Sequence, residues 1–326
     1  MRQGAPGAGA DGTPYLPAGD LEVSLSLRHS RADEHYTGIR HDLDRERRDN
    51  GVVNVQDLLD LRVTSGLTDR WSLSASLPFL RGSWSLPLPV GPPTGPRERQ
   101  ESFDRGDLTL TPRLWLLDPA CHPHGNLQVG LGLKVPTGSP DETDRYPDAA
   151  GRHRRSRPVD ASIQPGDGGW GGVVDLLAYR DAGPLRLFAG GSYLLNPRES
   201  NRTPSLPSAL LGPARVPGHM RTNSVPDQFL VVAGFSAPLG RGLGAGISAR
   251  WEGVPPRDRF GGNDGFRRPG YLVAVGPSVS WNPDRTTFSL SVPRTVFRNA
   301  QRDFRGVPGD ATFANWALLF SVTIRF

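Results

Sequence analysis

Ten charged residues occupy positions where polar side chains alternate with apolar ones: Glu22, Arg28, Asp60, Arg62, Arg113, Lys134, Asp175, Arg186, Arg250 and Arg325. Seven are cations and three are carboxylates. Arginine is always charged, and its rigid fork of N–H donors fits a carboxylate or phosphate two bonds at a time. Charges on one enclosed face can bind an anionic or mixed solute. They can equally pair with one another and stiffen the enclosure, because a charge withdrawn from bulk water must be paired or hydrated. Both outcomes use the same residue types, so the pattern leaves both open.

Catalytic chemistry has weaker support. A hydrolase would need serine, histidine and an orienting acid within hydrogen-bond reach. His29 falls at the end of a patterned segment, and His35, His41, His122, His124, His153 and His219 fall in loops or turns. No Gly-x-Ser-x-Gly elbow stands between a strand and a helix, and no P-loop or dinucleotide fingerprint is present. Cys121-His-Pro-His124 resembles a metal cluster but packs three ligands into one short turn without a fourth. The acidic run Asp141-Glu-Thr-Asp-Arg145 lacks EF-hand spacing. The expectation is no enzyme, no metal and no cofactor.

The elements that carry the ten charges are strands. In Ala314–Phe326, Leu318, Phe320, Val322, Ile324 and Phe326 share one face, and Leu319, Ser321, Thr323 and Arg325 the other. A period of two means a strand with one oily and one mostly polar face. The same alternation recurs in Leu21–Arg28, Val55–Thr64, Trp71–Phe79, Asp107–Leu116, Leu127–Val135, Val173–Tyr179, Leu185–Tyr193, Phe229–Ala237, Leu243–Trp251, Tyr271–Trp281 and Thr286–Val292. Phe229–Ala237 is the most apolar of these.

The connections alternate too. Turn-like sequences such as Gly66–Arg70, Arg180–Pro184, Leu239–Gly242 and Asn282–Arg285 join strands in pairs, and six long connections separate the pairs. The pattern predicts an all-β, up-and-down antiparallel transmembrane barrel of about 12 strands, with short periplasmic turns and long extracellular loops. A soluble β-sandwich would also alternate within its strands, but it would not alternate short and long connections along the whole chain.

Composition fits. The 326 residues have 36% hydrophobic content and include 40 Gly and 32 Pro. No stretch approaches the roughly 18 consecutive apolar residues of a membrane helix. The net charge of +5 comes from scattered arginines, often beside Asp or Glu, which argues against a nucleic-acid partner. A single cysteine excludes an internal disulfide. Residues 1–20 read as a flexible Gly/Ala/Pro-rich segment with no apolar signal-peptide core, and residues 21–326 as one barrel domain.

Two aromatic girdles are expected: Trp71, Tyr179, Trp281 and Phe326 at the short-turn end, and Trp170, Tyr193, Trp251, Tyr271 and Trp316 at the other. Pro78, Pro136, Pro197, Pro255 and Pro293 are expected to end outgoing strands at their outer ends, since proline cannot donate to the ladder.

The last strand, with Phe320, Val322, Ile324 and a terminal Phe326, resembles the signal strand of bacterial outer-membrane barrels. Val52-Val-Asn-Val-Gln-Asp-Leu58, Ser65-Gly-Leu-Thr-Asp-Arg-Trp71, Leu77-Pro-Phe79, Gly106-Asp-Leu108 and Gly130-Leu-Gly-Leu-Lys-Val-Pro-Thr-Gly138 resemble motifs of the outer-membrane barrel group assigned to the meta-pathway of phenol degradation. The resemblance covers about the first half of the chain and its terminal strand. It implies an outer-membrane channel or transporter related to carriers of hydrophobic compounds, folded by the barrel-assembly machinery and set among outer-membrane lipid and lipopolysaccharide. The arginine-rich loops depart from a purely hydrophobic cargo.

The inward serines and glycines leave room in a lumen of intermediate width. The expected function is passage of small solutes, hydrophobic or anionic. The alternative is a surface barrel acting through its loops. The connection Thr137–Gly169, with Arg152-His-Arg-Arg-Ser-Arg157, is the best candidate for a constriction.

Overall fold

The computed structural model describes residues 14–89 and 94–326. Twelve strands close into one antiparallel barrel. They are β1 (Leu21–Thr37), β2 (Val53–Gly66), β3 (Trp71–Pro87), β4 (Arg97–Arg105 and Leu108–Trp115), β5 (Gly125–Val135) and β6 (Gly171–Ala182). They continue as β7 (Leu185–Leu195), β8 (Gln228–Gly240), β9 (Leu243–Val254), β10 (Gly270–Trp281), β11 (Thr286–Ser291 and Arg294–Ala300) and β12 (Asp310–Arg325). Each strand pairs with its neighbours in sequence, and β12 closes on β1 in a register that sets Glu22 against Arg325 and Leu27 against Phe320. Closure removes both sheet edges, so every strand of the wall has a partner on each side.

The strands form here because their alternation suits a wall between lipid and a polar interior. Leu25, Leu61, Leu73, Leu133, Ile247 and Val279 all point outward and are exposed, and Leu131 reaches 65% exposure. That much apolar surface would be costly in water and is stable against hydrocarbon. Trp71, Trp281 and Phe326 ring the short-turn end, and Trp170, Trp251 and Trp316 the opposite end, all exposed. Tyr179 leaves the expected girdle: it shares the inward face of β6 with Asp175, and it is buried.

Several strands run further than the alternation indicated. β1 extends to Thr37 and β3 to Pro87, and β4 begins at Arg97 with the charged stretch Arg97–Arg105. These outer halves stand beyond the apolar belt, where both faces can be polar. A search for lipid-facing alternation therefore misses them. Histidines 29 and 35 consequently lie within β1 rather than at its end and beyond it. The long connections are correspondingly shorter than expected, the tightest being residues 88–96 and 301–309.

Two of the five prolines do not end strands. Pro78 sits inside β3, and its carbonyl accepts from Gly106 N at 2.6 Å, where β4 is interrupted. The missing N–H therefore faces a gap already present in the neighbouring ladder, so no bond is lost. Pro293 sits at the break of β11, and its carbonyl accepts from Ala317 N at 3.1 Å. Beyond that break β11 stays paired with β10 but meets β12 in register only at Arg294 opposite Trp316.

The connection between β5 and β6 folds over the outer opening. Its hairpin Thr143–Tyr146/Arg155–Pro158 brings the acidic and basic runs side by side. Trp84, Leu88, Tyr146, Val159, Ile163 and Leu206 form a small buried core there. Each fully buried side chain of this size stabilises by roughly 1.5–3 kcal/mol, enough to hold a loop in one place. A Cβ on Gly82 of β3 would lie 2.5 Å from Ile163 Cβ, so glycine is what lets the loop reach the wall.

Candidate functional site

Small inward residues make the interior hollow. Ser72, Ser74 and Ser76 line β3, Gly130 and Gly132 line β5, and Gly244 and Gly246 line β9. The largest space, about 390 Å³, lies toward the short turns. A vestibule of about 350 Å³ lies toward the loops, and spaces of about 140 and 60 Å³ lie between them. Neighbouring spaces share walls: Ser26, Val232 and Ser321 border both the large chamber and the space of about 140 Å³, and Arg28 and Leu58 border both that space and the vestibule.

All ten charged residues border these spaces. Glu22, Arg62, Arg113, Asp175, Arg186 and Arg325 line the large chamber. Arg28, Asp60 and Arg250 line the middle space, and Lys134 the smallest. The cations have carboxylate partners. Arg325 pairs with Glu22 at 2.9 Å, Arg186 with Asp181 at 2.7 Å and Arg62 with Asp60 at 3.4 Å. Arg28 and Arg250 share Glu252 at 2.6 and 2.7 Å. Arg113 bridges to Asp175 at 2.9 Å and also donates to Ser74 Oγ at 2.5 Å. Lys134 is held between Asp107, at 3.4 Å, and Asp167 of the folded-in connection. Seven cations thus face seven carboxylates (Glu22, Asp60, Asp107, Asp167, Asp175, Asp181 and Glu252).

Four of those carboxylates were not in the sequence-derived set. Asp181 was read as part of a turn, and Asp107 as a strand start. Glu252 lies one step past the expected end of β9, where continuing the Arg250 alternation would have found it. Asp167 belongs to a loop, and no periodicity could have placed it.

The outer constriction is built from the later part of the folded-in connection. Ala161–Ile163 forms a turn of 3-10 helix that Asp160 caps by accepting from Ser162 N at 3.0 Å. Asn54 donates to Ser162 Oγ at 2.7 Å, and Gln56 donates to its carbonyl at 2.7 Å, which pins the turn to β2. From the opposite side Arg268 grips Asp160 with two bonds of 2.9 and 2.8 Å. Burial pushes the Asp160 carboxyl up, but Arg268 and the bonds from Ser162 outweigh it and hold the carboxyl below its ordinary value. The segment Asp160–Gln164, rather than the arginine-rich run, enters the opening.

At the other mouth, residues 14–20 lie against the short turns. Tyr15 meets Trp115 edge-on with ring centres 4.9 Å apart and Tyr179 at 6.0 Å. Its hydroxyl donates to the His122 carbonyl at 2.7 Å and accepts from Tyr179 and Asn126 at 2.7 and 3.0 Å. Residues 1–13 of the expected flexible segment lie outside the described residues.

Among the described residues, His29 and His35 of β1 stay apart from Cys121. His35 lies 3.3 Å from Asp310 and accepts Val52 N at 2.7 Å, and His29 pairs with Asp57 at 2.7 Å. Cys121 is exposed, and His124 lies 3.4 Å from Asp181. Among the described residues no group of three His, Cys, Asp or Glu is arranged to hold a metal.

No family model matches the chain, and no curated protein does. Solved structures do. An outer membrane channel from Pseudomonas putida F1 superposes with a TM-score of 0.62 over 99% of this chain and 100% of its own, at 15% identity. The translocator domain of the autotransporter NalP from Neisseria meningitidis gives 0.46 over 98% and 92%, at 13% identity. The toluene transporter TbuX of Ralstonia pickettii gives 0.43 over 95% and 90%, at 9% identity. At these identities the likeness is one of fold, that of a closed outer-membrane-type barrel.

Proposed function

We propose that this chain is a channel of the bacterial outer membrane that admits or releases small solutes, hydrophobic or anionic, through its barrel interior. One observation carries the reading: the interior is a chain of adjoining spaces lined by serine, glycine and paired charges rather than a packed core. A structure that superposes on nearly the whole chain is described as an outer membrane channel. The lipid-facing belt and the closed wall suit that membrane. The outward Phe320, Val322, Ile324 and Phe326 would be read by the barrel-assembly machinery. Arg152, Arg154 and Arg155, exposed on the outer hairpin, would meet lipopolysaccharide phosphates. The ten inward charges would set selectivity, and no catalytic role is assigned to any of them.

A second reading has its own support. The lumen charges are paired and the outer opening is obstructed by residues 160–167, which suits a closed barrel acting through its loops. Conductance of the refolded full chain in a planar bilayer separates the two. Discrete steps with a measurable ion preference support the channel. A folded but silent barrel, tested also with uncharged solutes by liposome swelling, would leave the surface reading standing.

A further inference from the structure

We propose that the large chamber contains a binding subsite for a small carboxylate carried on an apolar body, with Arg62 and Arg113 as its anion-binding pair and β8 as its apolar wall. The inference rests on the channel reading for its biological role, and its chemistry stands on the chamber alone.

Arg62 is a part-buried and only weakly satisfied cation of the chamber. Its ion pair with Asp60 is long, at 3.4 Å, and that same carboxylate already accepts Ser76 Oγ at 2.5 Å. Its Nε is buried and has no hydrogen-bond partner among the described residues. A buried N–H of a charged group left in this state costs free energy.

The arrangement of the strands puts a second guanidinium on the wall of the same chamber. Arg62 stands opposite Ser76, and Arg113 opposite Ser72, so the two arginines flank β3 from either side. β3 offers only serines between them. Thr64 and Ser74 share a hydrogen bond of 2.7 Å, and Arg113 donates to Ser74. Ser72 and Ser76 are four residues apart along β3, and Arg113 reaches back to Ser74, so both arginines line the chamber along the serine stripe. The lining holds six arginines and four carboxylates (Glu22, Asp69, Asp175 and Asp284), with Asp60 and Asp181 beside it as the partners of Arg62 and Arg186.

The opposite wall is different in kind. In a barrel of twelve strands, β8 lies directly across from β2. Its inward Leu230 and Val232 are both buried, and with Leu177 of β6 they face the chamber where other strands place serine, glycine or charge. Trp115 and Tyr179 also line it, at the short-turn end. A space of about 390 Å³ with cations on one side and aliphatic surface on the other matches a ligand of the same polarity: one carboxylate on a small ring or short chain. A neutral hydrocarbon would offer the arginines no acceptor, and a bare inorganic anion would leave the β8 wall unused.

The test uses benzoate as probe, with acetate and benzyl alcohol as partial analogues, on the refolded full chain. Calorimetry measures binding, and block of chloride conductance is recorded separately. Benzoate should bind at least about tenfold more tightly than either analogue. R62Q, which leaves Asp60 its Ser76 bond, should weaken benzoate about tenfold and leave benzyl alcohol unchanged. L230S should reduce the preference for benzoate over acetate while chloride still passes. Equal benzoate affinity in wild type and R62Q, or no benzoate binding to a barrel that conducts chloride, overturns the subsite and leaves the channel reading intact. Benzoate binding that depends on Arg62 in a barrel that never conducts supports the subsite and removes the channel reading.

Discussion

Arg28 of β1 and Glu252 of β9 meet at 2.6 Å inside the barrel, although four strand steps of wall separate them. Arg250 closes on the same carboxylate at 2.7 Å, so one anion holds two cations across the lumen. The cluster lies between the vestibule and the large chamber. A chord of this kind narrows the passage and ties distant parts of the wall together.

Removing that anion should have two effects. In E252A the arginines face each other without a counter-charge, and breaking such a buried pair costs on the order of 3–5 kcal/mol. Denaturant unfolding should therefore shift to lower concentration. Conductance should rise and the reversal potential should move toward anions. An unchanged reversal potential would show that the cluster does not limit passage.

The Arg113–Asp175 bridge passes over β5 at Gly130. A Cβ there would lie 3.0 Å from Thr111 Cγ2, 3.1 Å from Arg113 Cγ and 3.2 Å from Asp175 Cβ. G130V should displace the bridge and destabilise the barrel by about 1–3 kcal/mol, as overpacking generally does. A thermal melt of the refolded variant, compared with wild type, measures it.

The outer plug should respond to acid. The Asp160 carboxyl is held below its ordinary value by Arg268, so the folded plug binds its proton less readily than the unfolded loop. The stabilisation is complete above the unfolded value of about 3.9 and is lost as the pH falls below it. Conductance should increase from about pH 4 downward, and D160N should abolish that increase. Equal pH profiles for the two proteins would exclude Asp160 as the latch.

Tyr15 is expected to restrict the short-turn mouth. Y15A removes the ring packed on Trp115 and the hydroxyl that links His122, Tyr179 and Asn126. Single-channel conductance should rise, whereas Y15F, which keeps the ring, should stay near wild type. Equal conductance in all three would place the restriction elsewhere.

The wall is legible in the periodicity of the chain. Alternation at a period of two fixed which of Leu318 to Phe326 face lipid, because a one-residue slip would turn every apolar side chain of β12 into the lumen. The same arithmetic assigned Arg113, Asp175 and Arg250 to the interior, since side-chain direction in a strand follows from position alone. It went astray where that rule has no hold. The charged outer half of β4 stands in water and needs no oily face, and Pro78 stays within β3 because its neighbour is already interrupted. What meets across the hollow follows from barrel closure instead. Glu252 reaches Arg28, Asp160 reaches Arg268 and Tyr15 reaches Tyr179 because barrel closure and a folded loop core set the distances between residues more than a hundred positions apart. Local periodicity carries the direction of a side chain but not its partner, and in this barrel the partners shape the passage.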